Sequence, residues 1–247
     1  MIIIRNEATM KFIRIPFTEL KLIQPLIDIK HIIPKPNLDN GPWIAGGVVL
    51  KAYMGQSYHK EYNDHTTASN IIAQIIKKQT RNELDAEKSN STNHISDIDY
   101  FFKNESEFFS SLASMAKLHQ KRVSTDNAIT YDISYNKRYY QAQMINKHYF
   151  ETVEDVLSSF DFTICQMATD FETVVTTEQT LYDIEHRILR LATGKYNPDN
   201  YLKRVLKYSI NGFNPEPGLM DYITTWDDEL LIKTIEQAAS MVNNYGF

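Results

Sequence analysis

Apolar positions alternate between short extended runs and amphipathic stretches over the first two thirds of the chain, then follow helical spacing. Residues 17–30, FTELKLIQPLIDIK, read as a short helix interrupted at Pro25, because proline inside a helix removes a hydrogen bond and clashes with the preceding turn. PWIAGGVVLKAYMG reads as a strand or tight turn entering a helix at Gly46 and Gly47. From Gln56 to Asn93 the pattern weakens. Ile71, Ile72, Ile75 and Ile76 make a narrow helical stripe, the polar run TRNELDAEKSNSTN follows, and we read about 56–93 as an insertion.

Asp97 and Asp99 then open an apolar run, and Asn104 followed by Glu107 signals a helix start. Phe108, Leu112, Met115 and His119 recur at helical spacing, with His119 at the edge of the packed face rather than in a ligand's position. AITYDI and YYQAQMI, separated by the polar SYNKR, predict a hairpin. Thr152 with Asp155 starts a short helix, VEDVLSSF. FDFTICQMA predicts a buried strand opened by Asp161, and FETVVT answers it across a turn at Thr169 and Asp170. Helices are expected over 178–193, ending at Gly194, over 199–211, between Pro198 and Gly212, and after Thr225. No internal repeat is visible. The order predicts an α+β fold, a mixed sheet with interleaved helices followed by a helical tail.

Composition narrows the function. The 247 residues, 43% hydrophobic and 12% aromatic, suffice for one large or two modest domains with a real core. No segment approaches the roughly 20 apolar residues of a membrane span. Arg5, Glu7, Lys11 and Arg14 interrupt the apolar start too soon for a signal-peptide core, so a cytoplasmic protein is expected. The single cysteine, Cys165, excludes an internal disulfide and a multi-cysteine metal site. A net charge of -5 and a pI near 5.8 argue against a generally basic surface for duplex nucleic acid, leaving room for a local patch. The Ile- and Asn-rich usage suggests an AT-rich coding source such as a virus.

Three features carry candidate chemistry. On a strand, residues two apart face the same side, so Asp97 and Asp99 would present both carboxylates together, where they repel unless a cation lies between them. Mg2+ suits such a place, since it binds one or two carboxylates together with phosphates and water; the plainer reading is the wet end of a strand. Gly46 and Gly47 at a helix entrance let backbone N–H groups approach an anion, or simply make a tight turn. Asp161, between Phe160 and Phe162, is a charge set at a sheet end or on the surface.

Taken in order, IAGG at 44–47, SDIDYFF at 96–102 and FDF at 160–162 resemble the nucleotidyltransferase superfamily that includes DNA polymerase beta, poly(A) polymerases and tRNA CCA-adding enzymes. That pattern is an apolar residue with Gly-Gly or Gly-Ser, then Asp-x-Asp, then a third carboxylate between apolar residues on a later strand. YLKRVLKYSINGF at 201–213 looks like the basic helix ending in Gly-Phe that follows the catalytic domain in poly(A)- and CCA-adding relatives. The resemblance spans roughly residues 40–213. The interval from Gly47 to Asp97 exceeds the one helix usual there, which is why 56–93 is taken as inserted. The arginine-rich strings that select the incoming base are not evident, so base choice is not carried over.

The resemblance implies a mixed-sheet nucleotidyltransferase-fold catalytic domain over 1–177 and a helical C-terminal region over 178–247. It implies metal-dependent, template-independent transfer of a nucleoside monophosphate from a nucleoside triphosphate to an acceptor hydroxyl. Asp97, Asp99 and Asp161 would bind Mg2+ or Mn2+, Asp161 completing the ion that activates the acceptor. Gly46 and Gly47 would hold the triphosphate, and Lys203, Arg204 and Lys207 would add contacts, their alternative being a solvated basic helix face. An RNA 3′ end, tRNA included, is the favoured acceptor, with a small molecule or a protein side chain as alternatives. A catalytically idle binding protein of the same fold, and an unrelated α/β protein with an accidental Asp-x-Asp, remain as competing readings. Asn127 is placed near the site as the residue opening the strand after the aspartate-led helix. Tyr208 can stack on a base or sit in the core, and Cys165 shows no sign of nucleophile activation. Oligomeric state is left open.

Overall fold

The computed structural model describes residues 11–16, 29–54, 97–135, 138–192, 204–205, 208–209, 211–217 and 219. The expectations for 17–28, for the insertion at 56–93, for Lys203 and Lys207, and for a helix after Thr225 lie outside these residues. The described chain is α+β, as expected. Strand β1 (Phe12–Pro16) is followed by β2 (Trp43–Ala45), α1 (Gly47–Met54), β3 (Ile98–Phe102) and α2 (Glu105–Leu118). Next come β4 (Gln120–Ser124), β5 (Ala128–Tyr135), β6 (Arg138–Tyr149), α3 (Val153–Ser158), β7 (Ala168–Thr169) and β8 (Thr173–Thr177). Helix α4 (Glu178–Glu185) and the short strands β9 (Ile188–Leu189) and β10 (Asn214–Pro215) complete the described elements.

Eight strands form one sheet in the order β1-β8-β7-β2-β3-β6-β5-β4, and β9 and β10 form a separate parallel pair. Every neighbouring pair in the large sheet is antiparallel except β3 and β6, which run parallel. That parallel pair sits mid-sheet and brings two strands from distant parts of the sequence side by side. Ile44, Ile98, Tyr100, Phe102, Ala142 and Met144 join the larger core, to which α1 and α2 contribute Val49, Leu50, Phe108 and Met115. Trp43 and Ala45, of the opposite parity on β2, join a smaller core with Val153, Val156 and Leu157 of α3.

The helix starts follow the local chemistry read from the sequence. Asn104 caps α2 by accepting from the Glu107 N–H at 2.9 Å. Thr152 and Asp155 make a reciprocal capping box on α3. Phe108 and Met115 are buried as expected, and His119 caps the end of α2 with its Nε2 2.6 Å from the Ile32 carbonyl, a packing role. The hairpin is present, and its strands extend into SYNKR as far as Tyr135 and Arg138, which pair.

Two expectations are corrected. FDFTICQMA is buried but is not a strand throughout: Thr163–Cys165 form a single 3₁₀ turn, Phe162 makes one isolated bridge to Leu191, and only Ala168–Thr169 enter the sheet. Local bonds divert the backbone, since the Thr163 N–H donates to the Arg190 carbonyl at 3.0 Å and its hydroxyl to Asp183 Oδ2 at 2.6 Å. An apolar run alone cannot tell a strand from such a segment. The helix expected over 178–193 stops at Glu185. Arg187 adopts a left-handed φ of 57°, and Ile188–Leu189 then pair with Asn214–Pro215. Arg190 folds back onto the buried Asp183 of α4, its Nε 3.1 Å from Oδ2, which requires the chain to reverse.

Candidate functional site

Asp99 lies on β3 and Asp97 immediately precedes it, both half-buried. Two strands fix what surrounds them. On one side Ala45, the last residue of β2, pairs with Asp99, so Gly46 and Gly47 follow directly beside the aspartate. On the other side Asp99 pairs with Gln143 and Ile98 with Ala142 on β6. Paired residues project to the same face, so Asp97, Asp99, Gln141 and Gln143 share one side of the sheet, opposite the larger core.

Gln141 is 7% exposed and lies between charged groups. With its carboxamide nitrogen toward β3 it donates to Asp97 Oδ1 at 3.1 Å, while its oxygen accepts from Arg122 on β4. The opposite orientation keeps a 3.3 Å donation to Asp132 Oδ1 but turns the amide oxygen toward Asp97, acceptor against acceptor. The first orientation satisfies both ends and is the better assignment. Arg122 Nη1 also lies 3.4 Å from Asp132 Oδ1. A polar chain therefore crosses from Asp97, at the start of β3, to the outer strand β4.

The glycines differ in what they do. Gly46 has φ +86° and its N–H donates to the Met167 carbonyl at 2.9 Å, while a Cβ there would stand 3.0 Å from the Phe160 ring. Its glycine identity is thus demanded by the fold. Gly47 opens the eight-residue helix α1, and a Cβ added there would meet nothing within 4 Å. The space at the helix start beside Asp99 is open.

Asp161 is engaged elsewhere. Arg204 Nη1 donates to its Oδ2 at 2.5 Å, and the same guanidinium sits 5.6 Å from the Phe162 ring centroid. Asp161 Oδ1 is buried without a hydrogen-bond partner among the described residues. Burial pushes the Asp161 carboxyl above its ordinary range, with Arg204 pulling it back. Its neighbour Phe160 packs on Phe101 with ring centroids 5.7 Å apart and closes on Gly46, so Asp161 belongs to the same end of the sheet. Among the described residues no group of three or more His, Cys, Asp or Glu side chains gathers to hold a metal ion, so Asp97, Asp99 and Asp161 do not meet as such a set here.

The oxygens this face leaves for an ion are the carboxylates of Asp97 and Asp99 and the amide of Gln143, hard ligands of the kind a Mg2+ or Mn2+ ion accepts alongside phosphate and water, since the Gln141 oxygen is taken by Arg122. The donor set fits such an ion without a third carboxylate. Gln141, Gln143 and Arg122 were not singled out from sequence, and only the strand pairing reveals them. Asn127 is an exposed turn residue whose carbonyl accepts from the Asn146 N–H at 2.9 Å. Tyr208 is core, its hydroxyl 2.8 Å from the buried Cys165 Sγ. No described helix is long and apolar enough to cross a membrane.

Fold and site together define an α+β protein with an Asp-x-Asp face beside a glycine-opened helix. A family model described as Gabija anti-defense 2 family protein matches residues 22–187, and the chain belongs to that family. A curated relative named Gabija anti-defense 2, from Bacillus phage SPbetaL7, is 30% identical over 146 residues, covering 58% of this chain and 36% of its own length. The chain thus spans about a third of that relative. Among solved structures, a Bacillus stearothermophilus CCA-adding enzyme in complex with CTP aligns at 13% identity with a TM-score of 0.42, over 88% of this chain and 49% of the other. A tRNA nucleotidyltransferase complexed with a primer tRNA and an incoming ATP analogue aligns at 13% identity with a TM-score of 0.41, over 70% and 60% respectively.

Proposed function

We propose that the chain is a metal-dependent nucleotidyltransferase that serves to counter a bacterial defence, as the family name indicates. The observation that carries the chemistry is the pairing of Ala45 with Asp99, which seats the carboxylates beside the open start of α1. A helix N-terminus favours phosphate, and a carboxylate pair beside it favours the cation that travels with a triphosphate. Mg2+ bound there supplies charge neutralisation on the phosphates and polarisation of the reacting oxygens. Asp97 and Asp99 hold that charge in place, and the backbone at Gly47 receives the phosphate chain. In the transfer an acceptor hydroxyl oxygen bonds to the α-phosphorus, the bond to the β-phosphate oxygen breaks, pyrophosphate leaves, and the hydroxyl proton passes to solvent or to a carboxylate.

The engagement of Asp161 with Arg204 leaves the metal reading resting on Asp97 and Asp99. The same observation favours a second reading, a nucleotide-binding protein of this architecture that performs no transfer. Incubation with each α-labelled nucleoside triphosphate, Mn2+ or Mg2+, and either cellular RNA or cytoplasmic protein separates the two. Label in an acceptor with the wild type, absent with Asp97→Ala, Asp99→Ala, supports transfer, and RNA is the first acceptor to test. Nucleotide binding with no labelled acceptor supports the second reading.

A further inference from the structure

Resting on the metal reading of Asp97 and Asp99, we infer that Gln141 is a positioning residue that clamps Asp97 and ties it to Arg122 on β4, three strands from β3. Three observations meet at this residue. Gln141 is 7% exposed, so its amide lies where an unsatisfied polar group is costly. Its nitrogen reaches Asp97 Oδ1 at 3.1 Å while its oxygen receives the Arg122 guanidinium, so both ends of the amide are used only when it bridges the two. Asp97 stands just before β3, where the ladder does not yet fix it, and the amide supplies the constraint the strand does not.

The choice of an amide has a chemical consequence. A carboxylate accepts at about four lone-pair sites, so one donated hydrogen bond orients Asp97 and leaves it able to bind a cation. A glutamate at 141 would instead add a negative charge beside Asp97 that Arg122, already facing Asp132 at 3.4 Å, offsets only in part. Gln141 thus orients Asp97 without adding a charge to the site. Partners that orient a metal-binding side chain typically change affinity by roughly 10- to 100-fold when removed.

The test measures Mn2+ binding by electron paramagnetic resonance on the full chain, with melting temperatures recorded alongside. Gln141→Met, similar in volume but unable to hydrogen-bond, is expected to weaken Mn2+ binding by roughly 10-fold or more. Gln141→Glu is expected to tighten it, and this opposite movement is one that a packing role does not produce. Wild-type affinity in the Met variant, or equal weakening in both variants, overturns the positioning role while leaving the metal site intact. Absence of Mn2+ binding by the wild type overturns the metal reading itself, and the positioning role with it.

Discussion

Arg204 Nη1 donates to Asp161 Oδ2 at 2.5 Å across 43 residues of sequence, joining the C-terminal segment to the end of the sheet that carries Gly46. Arg204→Met is expected to leave a largely buried carboxylate unpaired. Removal of one partner from a fully buried pair costs about 3–5 kcal/mol. Arg204 is 38% exposed, so screening reduces this to about 1–3 kcal/mol. Burial raises the Asp161 pKa in the folded state and Arg204 opposes the rise, so the variant raises it further. A carboxyl with a raised folded pKa contributes stability below its unfolded value, about 3.9, that is lost as pH rises through the folded value. The deficit of the variant is therefore largest near neutral pH and shrinks toward pH 4, as urea denaturation at several pH values would show.

The two glycines separate fold from ligand. Gly46→Ala meets both a positive φ and a ring at 3.0 Å, and is expected to cost about 1–3 kcal/mol and lower the melting temperature. Gly47→Ala meets open space and favours the helix, so stability should stay within about 1 kcal/mol of wild type or rise. Nucleotide affinity, measured by calorimetry, should nevertheless fall, because the methyl occupies the approach to the start of α1.

Thr152→Ala removes the hydroxyl that accepts from the Asp155 N–H at 3.2 Å and dismantles the capping box. The expected loss is about 1 kcal/mol in chemical denaturation, with Mn2+ binding unchanged, since α3 contributes packing and no ligand.

Asp183 is fully buried and accepts from Arg190, from Thr163 Oγ1 at 2.6 Å and from Gln179 Nε2 at 2.8 Å. Asp183→Leu should destabilise by about 3–5 kcal/mol, because Arg190 and the Thr163 hydroxyl lose their shared acceptor. Asp183→Asn, which keeps an acceptor oxygen, should cost less in the same denaturation measurement.

These particulars show what the sequence could disclose. Helix starts were legible wherever a side chain caps its own backbone three residues away, as at Asn104 and Thr152, because the signal is local. Strand β3 and the turn into α1 were legible because apolar runs abut Asp99 and the glycines. The end of α4 was not, since the reversal at Arg187 depends on Arg190 returning to Asp183, a contact that helical periodicity does not encode. Strand β4 was missed because all five of its residues are exposed, leaving no alternation to read. Asp161 was read from its Phe-flanked motif, yet its partner is set by a tertiary approach. Gln141 carries no signal of its own, and its importance arises from the parallel pairing of β3 with β6.

The central claim is that Asp97 and Asp99, beside the open start of α1, hold a metal-bound nucleotide. Its most direct measurement is calorimetric titration of the full chain with each nucleoside triphosphate, with and without Mn2+, in parallel with Asp97→Ala, Asp99→Ala. Binding of at least one nucleotide that requires Mn2+ and disappears in the double variant is the expected result. Metal-independent binding that survives the loss of both aspartates, or no binding by a folded wild type, would contradict it.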